Sequence, residues 1–251
     1  MNINISALAK WSLLLSISLL LSYVPNPSQA GPLASDLPLK NFRAEYVIEL
    51  AGIKVGRLSR ELIINSDRRY VFKSTSRTAG LSALFQRNRS EETALGVLEN
   101  GTFIPHQYQY FREKSGKLKE ETLEFDYEQN IVTKTRKGMT KHHKFNGKVF
   151  DPLSYQLQLM SDLALEQQQA SYLIHSPKKE KRYVAEIGNR ELIQTPYGGF
   201  NSLKLTEITQ SAKRTTFWCA KELNYLPVKV LVQDEDHDTL ILLESYEHLQ
   251  K

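Results

Sequence analysis

Apolar and polar residues alternate with a period of two through most of the chain, the pattern of half-buried β-strands. In residues 42–50, Phe42, Ala44, Tyr46 and Ile48 share one face. Ala51-Gly52 turns the chain into a second strand over about 53–65, in which Gly56 predicts a bulge or tight bend. Ser66-Asp67-Arg68-Arg69 is a turn before a strand at 70–76. Further strands are expected at 91–98, 105–113, 117–127, 131–136 and 141–145. Ser115-Gly116, Gln129-Asn130, Lys137-Gly138 and Asn146-Gly147 punctuate them as hairpin turns. A second β block is expected at 170–175, 182–187, 190–195, 203–210, 215–220, 227–233 and 239–247. Its turns are Ser176-Pro177-Lys178-Lys179, Gly188-Asn189 and the acidic stretch 234–238.

The alternation stops in two places. Residues 78–88, with Gly80, Leu81, Leu84 and Phe85, read as a compact apolar loop or a single helical turn. Between the β blocks the period becomes helical: Leu153, Leu157, Met160 and Ala164 form a stripe, widened by Leu159 and Leu163. Asp151 can cap this helix, and Pro152 suits its first position, where a missing N–H costs nothing. An end among Gln167-Gln168-Gln169 gives a helix over about 151–169, roughly 28 Å long. Strands, one helix and more strands could form two small sheets. The favoured fold is mainly β, one large curved antiparallel sheet or open barrel wrapped around a single central helix.

The first thirty residues stand apart. Lys10 precedes the apolar run Trp11–Leu21, Pro25 and Pro27 break it, and Ser28-Gln29-Ala30 supplies the small residues of a signal-peptidase site. Residues 1–30 are therefore expected to be a cleaved signal peptide and 31–251 a single β-rich domain, with no transmembrane anchor after cleavage. Formal net charge is +5 over the whole chain, and removing Lys10 leaves +4. That mild excess suits anionic surfaces, but an exported chain without a strongly basic face excludes nucleic acid. Cys219, the single cysteine, sits in strand-like sequence and reads as a small buried hydrophobe.

Catalytic chemistry finds no foothold in the sequence. There is no Gly-x-Ser-x-Gly elbow, phosphate loop or dinucleotide fingerprint. His142 and His143 are adjacent, so a strand points them to opposite faces and they cannot chelate one metal. The sequence predicts no catalytic residue, no metal site and no cofactor. Three features remain as candidate sites. Tyr108, Tyr110, Phe125, Leu157, Met160, Trp218 and Tyr225 could line an apolar groove between sheet and helix. Leu81, Leu84 and Phe85 could form a lid or a membrane-touching loop. Lys134, Arg136, Lys137, Lys141 and Lys144, in a stretch without acids, could contact an anionic group, or could simply guard a sheet edge.

Four patches carry a resemblance. They are Gly101-Thr102-Phe103-Ile104-Pro105-His106-Gln107-Tyr108, Asp151-Pro152-Leu153-Ser154, Thr195-Pro196-Tyr197-Gly198, and Phe217-Trp218 followed by Leu226-Pro227-Val228. In order and spacing they resemble a family of exported proteobacterial proteins catalogued only as a domain of unknown function, over roughly 42–246. The resemblance implies a periplasmic, β-rich protein and brings no catalytic residues with it. More loosely, a curved sheet around a helix is similar to the periplasmic lipoprotein-localisation carriers, a likeness of fold alone. The expected function is binding of a lipid or other amphipathic envelope molecule in the apolar groove. A non-enzymatic module that binds another envelope protein is the first alternative, and an exported hydrolase the second.

Overall fold

The computed structural model describes residues 39–79, 88–167, 170–177, 180–208, 213–235 and 237–250. Eight strands come first: β1 (Phe42–Leu50), β2 (Ile53–Ile64), β3 (Arg69–Thr78), β4 (Asn88–Glu99), β5 (Thr102–Lys114), β6 (Lys117–Asp126), β7 (Ile131–Arg136) and β8 (Met139–Lys144). Helix α1 (Ser154–Ala164) follows. The second block comprises β9 (Ala170–His175), β10 (Glu180–Thr195), β11 (Gly198–Glu207), β12 (Arg214–Ala220), β13 (Leu226–Gln233) and β14 (Thr239–His248). All fourteen strands belong to one antiparallel sheet in the order β8-β7-β6-β5-β4-β3-β2-β1-β14-β13-β12-β11-β10-β9. Each block is a meander, and the pairing of β1 with β14 joins them. The sheet is curved and unclosed.

Its two edges, β8 and β9, are neighbours in sequence, separated by a crossover and α1. Side chains and the crossover bring them together instead of a ladder. The rings of His143 and His175 lie 6.2 Å apart, and the Lys134 ammonium donates to the Pro177 carbonyl. Lower down, the Phe150 N–H donates to Leu173 O (2.9 Å) and the His175 N–H to Phe150 O (2.8 Å), a parallel bridge. Asn146-Gly147 was expected to close a hairpin. Here the chain leaves the sheet, with Phe145 and Val149 buried in one apolar cluster and Phe150 in the other, beside β9. Gly188-Asn189 is likewise no turn. It is a bulge within the single long strand β10, where the register with β11 shifts between Ile187 and Arg190. Gly56 does mark a bulge, opposite the shift between Ile48 and Glu49 of β1.

α1 lies inside the curve and presents apolar side chains in two directions. Leu153, Leu157 and Met160 pack with Tyr46, Phe72, Tyr108 and Leu123. Leu159 and Leu163 pack with Tyr172, Tyr183, Leu205 and Phe217 in a second cluster. Cys219 is fully buried in that second cluster, and burial pushes its thiol pKa up. At its start, Asp151 caps as its sequence suggests: Oδ1 accepts the N–H groups of Leu153 (2.7 Å) and Ser154 (2.9 Å). The end comes earlier than the apolar stripe implies. Glu166 turns left-handed (φ 56°), its N–H donates to Leu163 O, and the Gln167 N–H reaches Asp162 O. That Schellman closure stops α1 at about 16 Å. Strands β2 to β5, at 10 to 13 residues, run to roughly 33–43 Å, so one short helix cannot cover their inner face.

Candidate functional site

The groove expected along the flank of α1 is filled. Tyr108, Phe125, Leu157, Met160 and Trp218 are buried together in the first apolar cluster, and Tyr225 in the second. Tyr108, Phe125, Leu157 and Met160 fill the space because the inward faces of sheet and helix are both apolar, whereas the Trp218 indole lies between Lys204 and Lys229 and donates to Glu191 Oε2 (2.7 Å), and the Tyr225 ring lies beneath Arg190. Tyr110 is the exception, half-buried at the border of a cleft near the free ends of β2 to β5. Leu81, Leu84 and Phe85 lie outside the described residues.

The basic hairpin divides in the same way. Lys134 and Arg136 turn inward, 3.6 and 3.7 Å from the buried carboxylate of Glu121, which Lys119 also approaches at 2.5 Å. Lys141 stands opposite Lys134, whereas Lys144 stands opposite Ile131 on the other face, and Lys137 sits at the hairpin tip. The five cations therefore do not form one surface.

Two adjoining cavities at the helix C-terminal end make the better site. Both are bordered by Asn100, Thr102, Lys148 and Phe150, and Lys148 Nζ donates to Thr102 Oγ1 (3.2 Å) between them. One, of about 440 Å³, is walled by Phe103, Ile104, Tyr127 and Val149. The other, of about 470 Å³, is polar, with Asn146, Gln158, Asp162, Ser171 and Arg182 in its wall.

A buried polar network holds the shared wall rigid. Gln158 Oε1 accepts the Phe103 N–H (2.8 Å), while its Nε2 donates to Gly101 O (3.2 Å) and Asp162 Oδ1 (2.7 Å). The Tyr172 hydroxyl donates to Asp162 Oδ2 (2.8 Å), so the carboxylate is fully engaged. Burial, then the Asp162 charge, pushes the Tyr172 phenol pKa up, which keeps it a donor. Lys148 and Arg182 are exposed and form no ion pair with a described residue. The Tyr127 hydroxyl is buried without a hydrogen-bond partner among the described residues, beside the apolar cavity. The arrangement offers an apolar slot, a phenol and two exposed cations without an ion pair among the described residues, which suits binding of an amphipathic molecule with an anionic head.

A second polar layer crosses the concave face towards the opposite end. Arg60, Ser74, Glu92, Tyr110 and Glu121 stand in register on successive strands. Arg60 Nη1 donates to Gln156 Oε1 (2.6 Å), and the Tyr108 hydroxyl donates to Glu92 Oε2 (2.5 Å). Burial holds the Glu92 carboxyl above its ordinary value, against the opposing pull of Tyr108 and Arg60.

Sequence reasoning passed over Gln158, Asp162, Arg182, Arg60 and Glu92, although parity could have flagged several, and it met Lys148 only as the last cation of the acid-free stretch. Arg60 shares the inward parity of Leu58, Leu62 and Ile64, and Glu92 that of Ala94 and Leu98. Gln158 and Asp162 are one helical turn apart, beside the apolar stripe.

Comparison with known proteins bears on the fold. The model of a family described as a protein of unknown function (DUF3108) matches residues 42–240. No curated protein matches the sequence. A crystal structure of a β-barrel-like protein of a domain of unknown function, DUF1849, from Brucella abortus is similar in architecture, with a TM-score of 0.56. It is 12% identical and the match covers 84% of this chain and 99% of that one, a likeness of fold. No helix among the described residues is long and apolar enough to cross a membrane.

Proposed function

The chain belongs to the DUF3108 family of proteins of unknown function, and from that premise we propose that it is an exported envelope protein that binds an amphipathic molecule at the end of its half-barrel. The periplasm is its proposed location, on the strength of the apolar leader and the Ser28-Gln29-Ala30 site. One observation carries the binding assignment: an apolar and a polar cavity adjoin across Lys148 and Thr102. An acyl chain fits against Phe103, Ile104 and Val149, and an anionic head between Lys148 and Arg182. This reading moves the ligand from the flank of α1 to its end, and the cationic contact from the β7–β8 hairpin to these two residues.

Lipid extraction and mass spectrometry of protein purified from the periplasm test the proposal. Co-purifying anionic amphiphile is expected, together with uptake of a fluorescent fatty acid. Ile104→Glu should abolish uptake with the far-UV circular dichroism unchanged. A lipid-free protein that takes up no fatty acid refutes the reading.

An interaction module is the second reading, and the open edge of β8 favours it, since all six of its residues are exposed. Cross-linking in intact cells to a stoichiometric protein partner, with the cavities empty, would support it in place of the first.

A further inference from the structure

On the convex face of the sheet, three arginines stand in line across adjacent strands. Arg57 of β2 is directly opposite Arg77 of β3, which is directly opposite Arg89 of β4. Opposed side chains on one face have Cβ atoms about 5 Å apart, and like charges there destabilise a sheet. This sheet sets two such repulsions side by side. The outer two arginines have carboxylate partners. Arg57 lies 2.8 Å from Glu244 Oε2, Arg89 pairs with Glu91, and Glu113 stands opposite Arg89. Arg77, in the middle, makes no ion pair with a described residue and is exposed.

The three arginines line a cleft of about 430 Å³ with Glu45, Ser59 and Thr75. Glu45, the one acid among the described residues of that wall, is engaged by the Ser59 hydroxyl at 2.7 Å. Arg57 and Arg89 keep roughly half of their side chains in solvent, at 50% and 59% exposure, so their guanidinium heads remain accessible.

We propose that this cleft binds a phosphate group, with Arg77 as its main ligand, Arg57 and Arg89 flanking it, and the Thr75 hydroxyl as a further donor. A carboxylate is matched by one guanidinium fork. Several converging forks fit the larger charge and the tetrahedral oxygens of a phosphate. The cost of the opposed arginines then has a return in binding. The cleft is open to solvent, so the phosphate can belong to a lipid headgroup or be free in solution. The site lies on the opposite face of the sheet from α1 and is independent of the amphiphile reading.

Two probes test it: inorganic phosphate by calorimetry, and flotation with phosphatidylcholine vesicles with and without phosphatidic acid. Arg77→Gln breaks no ion pair and should weaken binding by about tenfold or more, the loss of a charge-assisted hydrogen bond. Lys221→Gln, a charge-matched change in the turn between β12 and β13, should leave it unchanged. Binding of vesicles alone assigns a headgroup, and binding of inorganic phosphate assigns free phosphate. Arg77→Gln should also raise the melting temperature in phosphate-free buffer, by relieving the repulsion, and whichever probe binds should raise that of the wild type only. The proposal is overturned if the wild type binds neither probe or Arg77→Gln binds as well as the wild type. A fall in melting temperature without phosphate would make Arg77 a structural residue and equally overturn it.

Discussion

Gln158 accepts a hydrogen bond from the Phe103 backbone N–H at 2.8 Å, and so fastens α1 to the β4–β5 hairpin. The same amide donates to Gly101 O and Asp162 Oδ1. A single buried side chain thus ties the helix to the wall shared by the two cavities.

Replacing Gln158 with Leu leaves the Phe103 N–H and the Asp162 carboxylate short of partners in a buried place. Each such group costs about 1–3 kcal/mol, so a loss of about 3 kcal/mol is expected from urea unfolding. Fatty-acid uptake should fall with it, because the shared wall loosens.

Gly96 cannot carry a side chain. A Cβ there would sit 2.1 Å from the Ile104 carbonyl oxygen and 2.7 Å from the Tyr70 hydroxyl. The first contact is backbone, at the bulge where β4 and β5 shift register, and cannot swing aside. Gly96→Ala should cost more than about 3 kcal/mol or prevent folding, as read by urea unfolding or soluble yield.

Burial raises the Asp151 carboxyl to about 6, although it accepts bonds from Leu153 and Ser154. The native state therefore holds a proton that the unfolded chain releases near pH 4, and stability falls as pH rises from about 4 to about 6. Asp151→Asn keeps the acceptor oxygen and removes the charge. It should flatten that limb and stabilise the protein at neutral pH by on the order of 2–3 kcal/mol. Asp151→Ala, which also loses the cap, should regain less, by about 1 kcal/mol. Urea midpoints across this pH range decide it.

The seam between β8 and β9 responds to acid in the opposite sense. Burial lowers the His175 pKa, and the charge of His143 pushes the same way, while Glu180, 2.7 Å from His175 Nε2, opposes both. Native His175 binds fewer protons than the unfolded chain, so stability is full above about pH 6.5 and is lost below it. Lys134, which reaches across to Pro177 O, adds no acid to offset a charged imidazole. Hydrogen exchange at β9 should rise on going from about pH 7 to about pH 5, and His175→Gln should remove the rise.

Much of the fold is legible in the sequence because strand pleat converts alternation directly into faces. The parity of Phe42, Ala44, Tyr46 and Ile48 is the inward face of β1, and the turns at Ser115-Gly116 and Lys137-Gly138 close hairpins. Gly188-Asn189 misleads because a bulge and a turn draw on the same residues. The Gln167-Gln168-Gln169 boundary misleads because apolar spacing says where a helix can pack, and the left-handed Glu166 says where it stops. The aromatic set misleads most. A residue that faces inward can line a cavity or fill one, and only the opposing surface chooses.

By itself the sequence determined the strands, the cap at Asp151, the two faces of the sheet and the place where β gives way to helix. All of these are local, set by residues a few positions apart. The tertiary structure alone decided that β14 joins β1, that the groove along α1 is filled, and that Lys148 and Arg182 border one cavity at its end. It also decided that Arg57, Arg77 and Arg89 stand in line. Nothing in their spacing places them so, because cross-strand neighbours are fixed by register, which the whole sheet sets at once.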